Sequence, residues 1–236
     1  MTSPRFLLSE TAYMAMCDDQ MVFMDARNGQ YLLLSGADTG YVSPIIATPG
    51  SKCELFETIR VSTEALEVAA ELQKRGLLTA EATGKPYRPV VYQQVVREIP
   101  RIVRTDQPEP GIRDIARFAT ALLMARMMIK TKSIDRITKT VHGWKTASRA
   151  KPELQEFSEA LELYRRTRPL FMTVENNCFV ETLCMLAHFR NYASALTWRI
   201  GVRLQPFRAH AWLQWGDFAV DDEACTIHEY TVIMEI

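Results

Sequence analysis

Short apolar runs separated by turn signals fill the first third of the chain. AYMAMC, MVFMDA and QYLLLS predict strands over 12–17, 21–26 and 30–35. Asp18-Asp19 separates the first two runs and Asn28-Gly29 the next two. Asn-Gly between apolar runs is a strong hairpin signal, because both residues tolerate positive φ. Helical spacing follows. SGADTGYVSPIIA predicts a short helix bent near Pro44, and SKCELFETIR a helix of one to three turns. STEALEVAAELQKRGLL is the clearest helix, with Ser62 as N-cap, Lys74 and Arg75 in the last turn and Gly76 as the stop. Its apolar face carries Leu66, Ala69, Ala70 and Leu72, with Leu77 beyond.

Three strands followed by three helices predict a small winged-helix-like domain over 1–80. The Gly- and Pro-containing stretch EATGKPYRPVVYQQ and a second break at TDQPEPG predict a linker over 81–111. From Ile112 to about Arg149 the pattern is helical, with apolar residues at Ile115, Phe118, Ala119, Leu122 and Leu123. Residues 151–168 predict another helix, with Pro152 in its first turn. NNCFVETLCMLAHFRNY (176–192) predicts a third, capped by Asn176 or Asn177. Then ALTWRIGVR (195–203), AHAWLQWG (209–216) and TVIMEI (231–236) alternate or run apolar as strands do, with a short strand FAVDD between the last two. Helices followed by an antiparallel sheet predict an α+β class, with 112–236 as the second domain.

Composition adds limits. The 236 residues allow one large domain or two small ones, and 28 basic side chains balance 28 acidic ones. Nothing global points to nucleic acid or a membrane. The charge is unevenly spread. Residues 1–80 hold 6 basic and 10 acidic side chains, 81–174 hold 18 and 10, and 175–236 hold 4 and 8. The helix over 62–76 carries Glu64, Glu67 and Glu71 against two cations, which argues against a DNA-reading helix. No secretory signal or spanning run is visible. Five cysteines (17, 53, 178, 184, 225), an odd number with no CxxC pair, argue against a disulfide framework and a structural zinc site. A cytoplasmic protein with free thiols is expected.

The candidate chemistry lies at the C-terminal end. Cys178 falls in the first turn of its helix, where unpaired N–H groups and the helix dipole favour a thiolate and can hold an oxyanion. A base must come from a neighbouring element, and His210 opens a strand downstream. Asp222 or Asp221, across a tight hairpin, is placed to orient the imidazole. Asn177 and Asn176 are candidate oxyanion donors, and Trp212 and Trp215 candidate pocket walls. Cys184 is expected to be packing, and His188 and His228 structural.

NNCFVETLCML, LTWRIGVR, AHAWLQWG and VDD, taken in order, resemble the transglutaminase-like peptidase of lasso-peptide maturation, the B protein. The resemblance rests on the separations Cys178–His210 (32) and His210–Asp222 (12) and on the Ile200–Arg203 strand end. The N-terminal run GQYLLLSG resembles the peptide-recognition element, a winged-helix domain, that accompanies this peptidase. The chain departs from the family pattern in VENNCF before the cysteine and in Gln214 after the HAW segment.

The resemblance implies a papain/transglutaminase-like second domain and a Cys178–His210–Asp222 triad that cuts a leader from a ribosomally made precursor. It also implies a separate ATP-dependent cyclase as partner and ATP-coupled cleavage. No Walker A or Gly-rich phosphate loop occurs, so no cofactor motif is recognisable, and a nucleotide would have to use the basic middle. Leader binding is expected along Gln30, Tyr31, Leu32, Leu33 and Leu34, with Leu66, Ala69 and Ala70 as groove walls. An acyltransferase using the same triad, or a non-catalytic peptide-binding adaptor, are the alternative classes.

Overall fold

The computed structural model describes residues 5–48, 62–102, 109–148, 153–172 and 177–236. The class is mixed α and β, with strands leading and a helix-covered sheet following. Two units are distinguishable. The first comprises 1–91 with 202–208 and 231–234; the second comprises 92–201, 209–230 and 235–236.

In the first unit, β1 (Leu7–Leu8) pairs antiparallel with β5 (Leu78–Thr79), and β2 (Ala12–Cys17), β3 (Gln20–Asp25) and β4 (Gln30–Leu34) form an antiparallel meander. The order β2-β3-β4 leaves one side of β4 without a strand neighbour in that sheet. Both turns match the expected positions, but not the expected conformation at Asn28. Only Gly29 is left-handed, at φ 71°; Asn28 instead uses Oδ1 to accept from the Gln30 N–H at 3.0 Å. The first turn is left-handed at Asp18. Helix α1 (Gly36–Val42) passes at Pro44 into a 3₁₀ turn over Ser43–Ile45. Helix α2 (Thr63–Lys74) starts at Ser62, whose hydroxyl accepts from the Ala65 N–H, and stops before Gly76 at φ 72°. Its buried face is Ala65, Ala69 and Leu72, one position round from the expected stripe, so Leu66 is exposed. The helix expected over SKCELFETIR lies outside the described residues.

The segment expected as a linker, 81–111, is shared instead. Lys85 bridges Leu8 and Tyr87 bonds Ala47 in the first unit. Farther on, β6 (Arg97–Glu98) pairs parallel with β9 (Phe218–Val220), and Ile99 is buried in the second unit. Two-residue strands have no period to detect, so the sequence pattern could not show this.

Helices α3 (Ile112–Thr131), α4 (Ile134–Ala147), α5 (Leu154–Thr167) and α6 (Cys178–His188) belong to the second unit, and the five-stranded sheet is ordered β10-β7-β8-β9-β6. Here β7 is Thr197–Leu204, β8 Phe207–Trp215 and β10 Thr231–Glu235; α7 is the single turn Ala224–Ile227. The long helix expected from Ile112 is broken at Ser133, whose hydroxyl caps α4 by accepting from the Arg136 N–H. Helix α3 packs chiefly on α6 through Phe118, Ala121, Leu122, Ala125 and Met128. Leu123, expected on that face, is exposed. The core of this unit joins those residues to Phe157, Leu161 and Tyr164 of α5, Leu183 and Leu186 of α6, and Trp198, Leu213 and Val220 of the sheet.

A buried polar group braces three of the strands. Arg199 of β7 donates to Glu235 of β10 at 2.7 Å, to the Gln93 carbonyl at 3.0 Å and to Gln214 of β8. Gln214, fully buried, donates in turn to the same carbonyl at 2.8 Å. Every one of these charges and amides has a partner, which is the condition for burying them without large cost. The departure from the family pattern at Gln214 thus has a structural use.

Phe157 is fully buried and meets Phe189, Tyr192 and Trp215, the last at 4.8 Å between ring centroids. Phe157→Ala is expected to cost about 3–5 kcal/mol, measured as a drop in urea midpoint with an unchanged slope.

Candidate active site

Helix α6 opens with Asn177, whose Oδ1 accepts from the Val180 N–H at 3.2 Å. That cap leaves Cys178 as the first helical residue, in the field of the unpaired N-terminal amides. Thr182, one turn on, donates to the Cys178 carbonyl at 2.8 Å and accepts from the Trp198 indole at 3.1 Å. The thiol's backbone is therefore tied to β7. Thr182 has no unusual sequence signal; a threonine four residues after a helical cysteine is common in any helix.

Strands β8 and β9 form a tight hairpin, with Trp215 paired to Phe218 across Gly216 at φ 56°. Its register pairs Leu213 with Val220. Extended past Val220, it brings Asp222 opposite Ala211 and next to His210. The contact is made: His210 Nε2 and Asp222 Oδ2 are 2.6 Å apart. The second Asp222 oxygen accepts from the Glu223 N–H at 2.8 Å. With Nε2 engaged, Nδ1 is the nitrogen left to face the thiol. The His210 ring and the Ala211 N–H both act on the Cys178 thiol and favour its ionised form.

The titration behaviour follows. Burial pushes the Cys178 thiol up, but the hydrogen bond and charge of His210 and the N–H groups of Ala211 and Phe179 outweigh it, and the net value lies below the ordinary one. Burial also pushes His210 down, and the hydrogen bonds and charges of Asp222 and Cys178 carry it up to about 9. Each group thus shifts the other toward its charged form. Cys184, fully buried on the same helix, goes the other way, pushed up to about 11 by burial, and His188 is driven down to about 4. Both lie in the helical core, as packing residues do.

The remaining expected site residues divide. Asp221, the rival orienter, does not reach His210: its oxygens accept from Arg165 Nε at 2.9 Å and Arg168 Nη1 at 2.5 Å. Trp212 flanks His210, the rings nearly parallel at 6.0 Å. Trp215 lies three positions along the alternating strand and stacks on Phe157 instead, away from the imidazole. Asn177 has its carbonyl oxygen committed to the cap, and Asn176 lies outside the described residues. Two neighbours were not anticipated. Tyr230 lies 5.2 Å from the His210 ring, and Gly201 admits both Tyr230 and Trp212, since a Cβ there would come within 2.8 Å of each. Glu181, half-buried in the first turn of α6, feels Arg168, Asp221, Asp222 and His210, and burial raises it. Beside Asp222 a cleft of about 510 Å³ is lined by Glu98, Arg101, Arg165, Arg168 and Glu223.

A thiol at a helix N-terminus, an imidazole on the adjacent strand and a carboxylate behind it form an acyl-transfer geometry. Residues 114–235, just over half of the chain, match the family model described as the transglutaminase-like superfamily. The chain belongs to the transglutaminase-like superfamily. Membership supports thiol-dependent chemistry of the cysteine-peptidase or transglutaminase type. The transglutaminase-like match takes in Cys178, His210 and Asp222, and leaves 1–113 outside it. No curated protein and no solved structure matches the chain.

The charged pair also sets a pH signature. His210 is raised in the folded chain, so its contribution to stability is complete below the ordinary value of 6.5 and disappears as pH rises through about 9. Cys178 is lowered, so its contribution is present above the ordinary value of 9.0 and disappears as pH falls through the folded value. Iodoacetamide is therefore expected to modify Cys178 ahead of Cys184 at neutral pH. In Asp222→Asn the Cys178 rate at pH 7 should fall about tenfold, as expected for a one-unit rise in thiol pKa; peptide mass spectrometry reads the site and rate.

Proposed function

We propose that the chain is a leader peptidase for a ribosomally made peptide precursor of the lasso class, working through Cys178, His210 and Asp222. The observation that carries the reading is the His210–Asp222 hydrogen bond at 2.6 Å, together with Cys178 in the first turn of α6 and lowered by His210. In the proposed cycle the Cys178 thiolate attacks the scissile carbonyl carbon and the oxyanion forms near the helix N-terminal amides. The C–N bond breaks as the His210 imidazolium gives its proton to the leaving amine of the core. A water molecule, deprotonated by the now neutral His210, attacks the thioester carbonyl. The leader carboxylate leaves, and the regained proton restores the ion pair. Asp222 holds Nε2 throughout, so the ring keeps Nδ1 toward sulfur.

In this reading the first unit, as a winged-helix type of recognition element, captures the leader by strand addition to β4. In support, among the described residues β4 pairs with a strand on one side only, Leu33 on it is exposed, and a hollow of about 220 Å³ is lined by Gln30, Tyr31, Leu32 and Leu77. Leu34 is buried and faces the core of that unit. Leu66 and Ala70 are exposed one turn apart on α2 and suit a groove wall; Ala69 is fully buried in the core and does not. The proposal extends to a cytoplasmic setting, an ATP-dependent cyclase that takes the freed core, and ATP acting in that partnership. Among the described residues no helix is long and apolar enough to cross a membrane. The superfamily name favours one second reading: an amine in place of water would accept the same thioester, giving an amide.

Cys178→Ala and His210→Ala are each expected to abolish leader cleavage of a co-supplied precursor. Wild-type cleavage in both would remove the triad reading, and product mass separates a freed core from an amide. For recognition, Leu33→Asp in the full chain should weaken precursor binding by about tenfold or more, since burying a leucine is worth about 1.5–3 kcal/mol. Fluorescence anisotropy with a labelled precursor measures it, and unchanged affinity would remove β4 as the docking strand.

A further inference from the structure

The cleft beside Asp222 contains a charged group that the proposed chemistry does not use. Asp221 immediately precedes Asp222 and follows the end of β9 at Val220. Its φ is 57°, a left-handed conformation rarely adopted by a residue with a side chain. Its carboxylate is 6 % exposed, and both oxygens are occupied by Arg165 and Arg168. Arg165, 10 % exposed, belongs to α5 and also donates through Nη2 to the Ile99 carbonyl at 3.2 Å. Its Nη1 lies 3.6 Å from Glu162. One guanidinium thus ties α5, the segment after β6 and the end of β9 at a single point.

We propose that Asp221, clamped by Arg165 and Arg168, is a positioning group that sets Asp222 against His210. The inference rests on reading Cys178, His210 and Asp222 as the reacting triad. A buried ion pair is a poor way to gain stability, because desolvating both partners cancels most of their attraction. Its use here is placement. Among the described residues, the local tie of Asp222 is the Glu223 N–H. The rest of its orientation comes from the backbone at 221, past the end of β9 and of its described ladder. The left-handed turn lets adjacent carboxylates part, one to α5 and one to β8. The other charged group facing this turn is Glu181 of α6; Glu98, Arg101 and Glu223 line the cleft beyond, and the Tyr230 ring covers the far side of His210.

The test needs no substrate. Full-length protein and its Asp221→Gly, Arg168→Gln and Asp222→Asn variants are alkylated with iodoacetamide across pH 5–10, and the rate at Cys178 is read by peptide mass spectrometry. Glycine accepts the left-handed backbone freely, so Asp221→Gly removes the clamp without adding strain. The expected result is a rise in the pH at which Cys178 becomes reactive, with the rate at pH 6 falling about tenfold for each unit of rise. Asp222→Asn should shift further in the same direction. Arg168→Gln, at a more exposed position, should shift less, and it decides the matter if Asp221→Gly fails to fold by circular dichroism. A shift in Asp222→Asn with wild-type profiles in the other folded variants overturns the clamp and leaves the triad. A wild-type profile in Asp222→Asn overturns the triad reading itself.

Discussion

The 2.6 Å hydrogen bond between His210 and Asp222 is the contact on which the rest of the site depends. Without it the imidazole has no reason to keep Nδ1 toward the sulfur, and burial alone would leave it neutral. With it, the ring stays protonated up to about 9 and draws the Cys178 thiol toward its ionised form. The bond is made by two strands rather than two loops. The hairpin register that pairs Leu213 with Val220 brings the end of β9 alongside His210, and the Arg199–Gln214–Glu235 group ties β8 to β7 and β7 to β10. Site geometry is in this sense a by-product of sheet geometry.

The helix side is fixed by different means. Asn177 ends the chain's approach and starts α6, so that Cys178 meets the amide field at the first turn. Thr182 then couples the Cys178 carbonyl to the indole of Trp198. The helix is packed against α3 over an apolar face with Cys184 at its centre. Two rigid bodies, a packed helix and a braced sheet, meet where the reacting atoms are. Such sites hold their geometry better than loop-borne ones.

Much of this was legible in the sequence because it is local. Ser62, Gly29 and Pro44 mark turns and caps by their own chemistry, and the short apolar runs between turn signals mark β2 and β3. The approach of His210 to Asp222 was readable from hairpin length. What escaped was set by tertiary contacts. The break in the α3–α4 pattern at Ser133 hides within a continuous helical period. The strand at Arg97–Glu98 is too short to have a pattern. The parting of Asp221 and Asp222 depends on arginines more than fifty residues away, and the inward turn of Ala69 on one residue of helix phase.

The paired charges at Cys178 have a chemical cost as well as a use. A partly exposed thiolate is the form of cysteine that peroxides attack, while the protonated, buried Cys184 is inert. The lowered Cys178 thiol is therefore more open to oxidation than Cys184. No second described thiol is placed to trap a sulfenic acid there as a disulfide: Cys184 is sealed in the core, and the Cys225 sulfur faces Glu223. A sulfenic acid formed at Cys178 would find neither of these two thiols beside it, so its rescue falls to thiols from outside the site, and the state of the site is tied to how reducing its surroundings are.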